Sequence, residues 1–339
     1  MSNDLEEEVD PKKARYDTWI RTRRIGFASF IVPVTIILCL LAFWSNENVY
    51  KRIWPLAPGS VYMTLVYFGV WLNVEVFLNV FKYYLCRKVF NMSQEHYALI
   101  IGRRDRWTQA EITMLEDEYG AKTLKIMDAT YRRAGHIIVN AWRIYYYLFL
   151  VDQSQRLQVA ILQLPIIFGI KKYAEFHSVG DFVYQGCRIR DGQYGRFNQV
   201  VVNFWAYCAR IIMMIMLSKQ DYDEPTNRTL IALALQPLIW GDTFGEVIGS
   251  FFGRFEFNVI GIGEINKKTV EGTASVFISS YISLMAVYLL LAPKGVQMFS
   301  QHYAFVFFYT SFICMVVEVG APRGTDNFFL QTVCLAILL

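Results

Sequence analysis

Asp242 and Glu246 stand one helical turn apart in the run Trp240-Gly241-Asp242-Thr243-Phe244-Gly245-Glu246-Val247-Ile248-Gly249-Ser250-Phe251-Phe252-Gly253-Arg254. Leu230 to Ile239, just before, is apolar apart from Gln236, so the chain carries two carboxylates into a hydrophobic layer. A carboxylate deep in a bilayer costs at least about 2.5 kcal/mol even on the lenient insertion scale, so this pair needs a cation. Gly241, Gly245, Gly249 and Gly253 recur every four residues, which on one helix leaves a bare ridge that another backbone can approach. Two uses fit: a tight helix-helix seam with its acids at the water interface, or a metal-nucleotide or cation site at the membrane edge.

Three more polar groups interrupt the apolar background. Arg132-Arg133-Ala134-Gly135-His136 opens one apolar run, which also suits a positively charged flank with an interfacial histidine. Asn266-Lys267-Lys268-Thr269-Val270-Glu271-Gly272 leads straight into another, with lysines placed to hold phosphate. Glu318-Val319-Gly320-Ala321-Pro322-Arg323-Gly324-Thr325-Asp326-Asn327 separates two more. There Pro322 and Gly324 force a break, and Asp326 and Asn327 offer oxygen ligands. No G-x-S-x-G, H-E-x-x-H, Walker-type or Cys/His metal spacing occurs. Hard oxygens near lysines and arginines suit Mg²⁺ bridging nucleotide phosphates, which points to phosphoryl or nucleotidyl transfer at a membrane surface.

The elements that must position these groups are membrane helices. With 55% hydrophobic and 18% charged residues over 339 positions, the chain is too apolar for a soluble domain. The expected class is all-α, a polytopic membrane protein of about nine spans. Their apolar runs are 26–44, 61–85, 136–151, 157–170, 200–217, 230–252, 273–292, 303–320 and 328–339. Lys and Arg in alternate connections divide about four to one, which puts the N-terminus and the 254–272 loop in the cytosol. All four polar clusters then border one cytosolic face. Ala110 to Leu124 is compatible with a surface amphipathic helix. The basic stretch after the acidic first ten residues fits neither a secretory signal nor a transit peptide. Six cysteines without a C-x-x-C pair predict buried or incidental thiols rather than disulfides or zinc. The tripeptides Asn91-Met92-Ser93 and Asn227-Arg228-Thr229 match the glycosylation pattern, but lie on the cytosolic side and against a membrane helix respectively.

The four pieces, in this order, resemble the membrane-embedded polyprenol-type lipid kinases: dolichol kinase, phytol kinase and the CTP-dependent diacylglycerol kinase. That family is related to the phosphatidate cytidylyltransferases. The resemblance covers about 131–339 as a lipid-kinase-like membrane domain and leaves 1–130 as a tail, two helices and a cytosolic loop. It implies transfer of a phosphoryl group from a nucleotide triphosphate, usually CTP, to the hydroxyl of a neutral lipid, with Mg²⁺ or another divalent metal. It implies that Asp242 and Asp326 are catalytic, that Asp242 and Asn327 are metal ligands, and that Arg254 and Lys268 bind nucleotide phosphate. By their spacing beside these residues, Glu246 is a further expected metal ligand, and Lys267, Gly241, Gly245 and Gly249 are expected to join the phosphate site. Arg133, His136, Glu271 and Glu318 complete the implied site. Glu246 stands where many relatives carry a small or apolar residue. The expected place is the endoplasmic reticulum membrane with the site facing the cytosol; lipid and nucleotide are the expected partners, and nucleic acid is not. A cytidylyltransferase-like nucleotidyl transfer and a cation-coupled transporter using Asp242, Glu246 and Glu318 are the alternatives. The cytidylyltransferase signature itself is absent from the sequence.

Overall fold

The computed structural model describes residues 56–102, 109–176, 195–220, 222–259, 266–292, 302–321 and 324–339. The expected first span, 26–44, lies outside them, as do Cys39 and Cys187. Helix α1 (Pro58–Tyr84) starts with proline in its first turn, where a missing N–H costs nothing. The Ala57 N–H and the Ser60 hydroxyl both donate to Gln158 Oε1, at 3.0 and 2.6 Å, which ties that helix end to α5. Then come α2 (Gln94–Gly102), α3 (Gln109–Tyr119), α4 (Ala121–Tyr145), α5 (Arg156–Phe176), α6 (Gly195–Ser218) and α7 (Glu224–Ala234). After α8 (Asp242–Phe251) the strands β1 (Glu256–Val259) and β2 (Asn266–Thr269) precede α9 (Val270–Leu291), α10 (Tyr303–Gly320) and α11 (Asp326–Leu338).

Among the described residues, four stretches are long and apolar enough to cross a membrane: 58–89, 199–218, 270–291 and 303–320. Their outer faces agree with that. Val61, Tyr62 and Leu65 on α1, Ile282, Leu289 and Leu290 on α9, and Phe305, Phe308 and Phe312 on α10 are all exposed. A surface this apolar suits lipid rather than water. The other described runs differ from nine regular spans for local reasons. The 230–252 run is broken by a π-helical turn, Pro237–Gly241, between two short helices. The 136–151 run is the end of the longer polar helix α4 followed by a second π-helical turn, Tyr146–Leu150, and the 328–339 run falls in a helix of only 13 residues, Asp326–Leu338.

Two further departures follow from backbone chemistry. The expected helix over 110–124 is two helices, because Gly120 adopts φ +80° between α3 and α4. Together with the end of α1 they enclose a small core of their own, including Met92, Ile100, Leu115 and Met127. The stretch is therefore a packed cap rather than a bare loop, and α4 runs through position 130 without a break. The all-α expectation also misses one hairpin, in which β1 pairs antiparallel with β2.

The described cysteines, Cys86, Cys208, Cys314 and Cys334, are free and buried. Asp223 caps α7 by accepting the Thr226 N–H at 3.2 Å. Asp223→Ala is expected to cost about 1 kcal/mol of stability, read as a lower midpoint in detergent unfolding, because that N–H loses its acceptor.

Candidate functional site

The hairpin sorts the two lysines. Side chains alternate along a strand, so neighbours on β2 must face opposite ways. Lys267 is exposed and pairs with Glu256 at 3.2 Å. Lys268, opposite Phe257 in the register, turns inward and donates to Glu318 Oε1 at 2.9 Å and to the Glu318 carbonyl. The hairpin then closes on Glu271, whose carboxylate accepts the backbone N–H groups of Arg254 at 3.0 Å and Phe255 at 3.4 Å. Thr269 caps α9 by accepting the Gly272 N–H at 3.1 Å. Arg254 itself is exposed.

Glu318 lies in the last turn of α10, where an anion is disfavoured by the helix dipole and where Lys268 offsets it. Gly324, at φ +84°, turns the chain into α11, whose first residue is Asp326. The Asn327 N–H donates to Asp326 Oδ1 at 2.9 Å. Asp242 is the first residue of α8, immediately after the π-helical turn. Three helices thus converge so that one oxygen each from Asp242, Glu318 and Asp326 lies within 4.8 Å of the others.

Helix α4 supplies the opposing charge. Arg133 donates to Asp242 Oδ2 and to Glu246 Oε2, and Arg132 donates to Glu246 Oε1 at 2.7 Å. Glu246 is therefore held by two arginines on the α4 side and is not one of the three clustered carboxylates. His136 donates from Nε2 to the Leu238 carbonyl at 3.1 Å, a group within the π-helical turn. The same turn has a second adaptation: Pro237 has no N–H for the Leu233 carbonyl, and the Cys334 thiol reaches that oxygen at 3.7 Å. Two acceptors in the cluster's residues, Glu318 Oε2 and Asn327 Oδ1, are buried without a hydrogen-bond partner.

The glycines lie against α9. A Cβ on Gly245 would come 2.6 Å from Val276 Cγ2, and one on Gly241 2.4 Å from Ser280 Oγ. One on Gly249 would come 2.9 Å from Thr269 Oγ1. Across the seam, a Cβ on Gly272 would meet the Gly245 carbonyl oxygen at 2.8 Å and Gly249 Cα at 3.2 Å. The four glycines do not share one regular helix, since Gly241 belongs to the π-helical turn and Gly253 follows α8. The structure thus gathers Asp242, Glu318, Asp326, Asn327, Lys268 and Arg133, puts Glu246 and His136 behind Arg133 and Asp242, and leaves Lys267 and Arg254 at the exposed side. Sequence reading did not single out Arg132 as a partner of Glu246. The i, i+1 arginine pair opposite an i, i+4 acid pair was the available signal.

Compared with known proteins, the chain matches no protein-family model, no curated protein and no solved structure.

Proposed function

We propose that the chain is a membrane lipid kinase that transfers the γ-phosphoryl group of a nucleotide triphosphate, CTP by resemblance, to the hydroxyl of a neutral lipid such as diacylglycerol or a polyisoprenoid alcohol. The observation that carries this reading is the meeting of Asp242, Glu318 and Asp326 from three helices, beside Lys268 and Arg133. Counting Glu246 and Arg132, four carboxylates face three fixed cations, which leaves room for added positive charge.

The donor set suits a hard divalent cation. Carboxylate and amide oxygens are what Mg²⁺ takes, and the unpartnered Glu318 Oε2 and Asn327 Oδ1 are oxygens of that kind. Asp242, Glu318 and Asp326 would hold the ion, which would supply neutralisation of phosphate charge. Lys268 and Arg133 supply the fixed part of that neutralisation, already aimed at the cluster and costing no reorganisation at the reacting centre. Asp242 Oδ2 is occupied by Arg133, so Asp326 is the better proton acceptor. The lipid O–H gives its proton to the Asp326 carboxylate as its oxygen bonds to the γ-phosphorus. The bridging P–O bond then breaks and the nucleoside diphosphate leaves. The ordered motifs from Arg132 to Asn327 add the resemblance to polyprenol-type lipid kinases, with which an endoplasmic reticulum membrane and a cytosol-facing site agree.

The test uses membranes holding the full chain, γ-labelled CTP or ATP, Mg²⁺, and a panel of diacylglycerol and polyisoprenoid alcohols. Label is expected in one lipid class, lost on adding EDTA and regained with excess Mg²⁺. Labelling that persists under chelation removes the divalent ion from the reading. Incorporation from α-labelled CTP into phosphatidate instead of γ-label into a lipid alcohol replaces the kinase with a nucleotidyl transferase.

A further inference from the structure

Arg143 and Arg210 are buried together in the middle of the helix bundle, Arg143 at 7% and Arg210 at 0% exposure. Arg210 lies mid-way along α6, inside a stretch otherwise apolar enough to span a membrane, and Arg143 lies in the last turn of α4. Arg210 donates from Nη1 to Gln163 Oε1 at 2.8 Å, and its guanidinium carbon sits 3.7 Å from the centroid of the Tyr207 ring. Tyr147 donates its hydroxyl to the same Gln163 oxygen at 2.9 Å. Arg143 is within electrostatic reach of Arg210 and beside Tyr67 of α1.

No carboxylate among the described residues pairs with either arginine. Arg143 Nε, Arg210 Nε and Arg210 Nη2 are buried without hydrogen-bond partners, and so is Gln163 Nε2. Two like charges in a low-dielectric interior repel, and among the described residues no carboxylate offsets their desolvation. These four groups are N–H donors from α4, α5 and α6, and the Tyr146 hydroxyl, also buried without a partner, can donate as well. The combination matches an oxyanion with several acceptor oxygens; guanidinium forks recognise phosphate in this way.

From these donors we propose a second ligand site, selective for a phosphate group, between α1, α4, α5 and α6. It is separate from the carboxylate cluster. Arg133 and Arg143 stand ten residues apart on α4, which sets them about 15 Å apart along its axis. His136 and Asn140 line the interval, and Asn140 Oδ1 is also buried without a partner. The carboxylate end of α4 is rich in acceptors and the arginine end rich in donors. The phosphate can belong to a membrane phospholipid or be inorganic, and the experiment tells these apart. Nothing here depends on the proposed kinase chemistry.

The experiment is native mass spectrometry with total phosphorus analysis on the purified full-length protein after exhaustive detergent washing, which requires no turnover. About one phosphate-bearing molecule per chain is expected to remain, and Arg143→Gln and Arg210→Gln are each expected to lower its retention by roughly tenfold or more. A retained mass equal to a phospholipid identifies the lipid source. A phosphorus signal without a lipid mass, restored by adding inorganic phosphate to washed protein, identifies the free ion. Wild-type protein carrying no phosphorus and regaining none from phosphatidylglycerol, phosphatidate or inorganic phosphate overturns the proposal, whether or not the variants fold. Retention of a fatty acid in its place, or a tyrosinate ultraviolet band lost in Tyr67→Phe, overturns it too, by naming a different counter-charge.

Discussion

On the proposed kinase reading, membranes carrying Asp242→Asn are expected to incorporate γ-label into lipid at least about 10²–10³-fold more slowly than wild type, the scale on which one preorganised electrostatic group at a reacting centre acts. The substitution keeps the volume and removes one of the three charges that meet within 4.8 Å. The amide that replaces the carboxylate still offers an oxygen to Arg133, and Arg133 keeps its pairing with Glu246, so the buried cation retains a charged partner. The control is the thermal midpoint in detergent, which stays near wild type. A rate within about threefold of wild type would take Asp242 out of the chemistry. Glu246→Gln separates the two acids of the original i, i+4 pair. It removes the one negative charge that Arg132 and Arg133 share, so its loss appears in stability as well as in rate.

Gly272→Ala loses stability by about 1–3 kcal/mol, the usual cost of forcing an extra methyl into a packed interior. Its Cβ meets backbone: the Gly245 carbonyl oxygen at 2.8 Å and Gly249 Cα at 3.2 Å, with Thr269 Oγ1 at 2.9 Å. None of the backbone atoms can rotate away, so α8 and α9 must separate. An alanine at Gly245 is milder, because the close atom there is the end of the Val276 side chain. Gly69→Ala is the matched control, since nothing lies within 4 Å of its new carbon. Unfolding midpoints in one detergent check the order, with Gly272→Ala lowest and Gly69→Ala at or slightly above wild type. Equal midpoints for the two would mean that the seam is loose.

The membrane character and the four polar clusters were legible because both rest on composition and short-range order. Lys268, Glu318 and Asp326 stood out as polar residues near the ends of apolar runs and Asp242 as an acid within one, and the structure gathers these residues. Helix boundaries were less legible. The apolar run 230–252 has the length of one span, and only Pro237 hints at the π-helical turn that lets Asp242 open a new helix. Lys267 and Lys268 look equivalent until strand pairing fixes a period of two, which a short polar stretch between glycines does not announce. Glu246 was assigned by its spacing from Asp242, but its partners are set by α4, over a hundred positions away in the chain. Arg210 is a charge inside an apolar run that the sequence reading passed over, and its meaning depends on Arg143 arriving from another helix.

The contact between Arg133 and Asp242 joins residues 109 positions apart, and this separation has a consequence for biogenesis. At ribosomal speeds of about 5–20 residues per second, Arg133 is made roughly 5–20 s before its acidic partners. During that interval α4 carries an uncompensated cation, which long side chains accommodate by reaching toward the headgroups. Packing of α8 against α4 ends the wait, since Asp242 and Glu246 arrive together and neutralise it. A nascent chain that stalls before α8 or misplaces it therefore leaves Arg133 without the two acids that neutralise it in the finished fold.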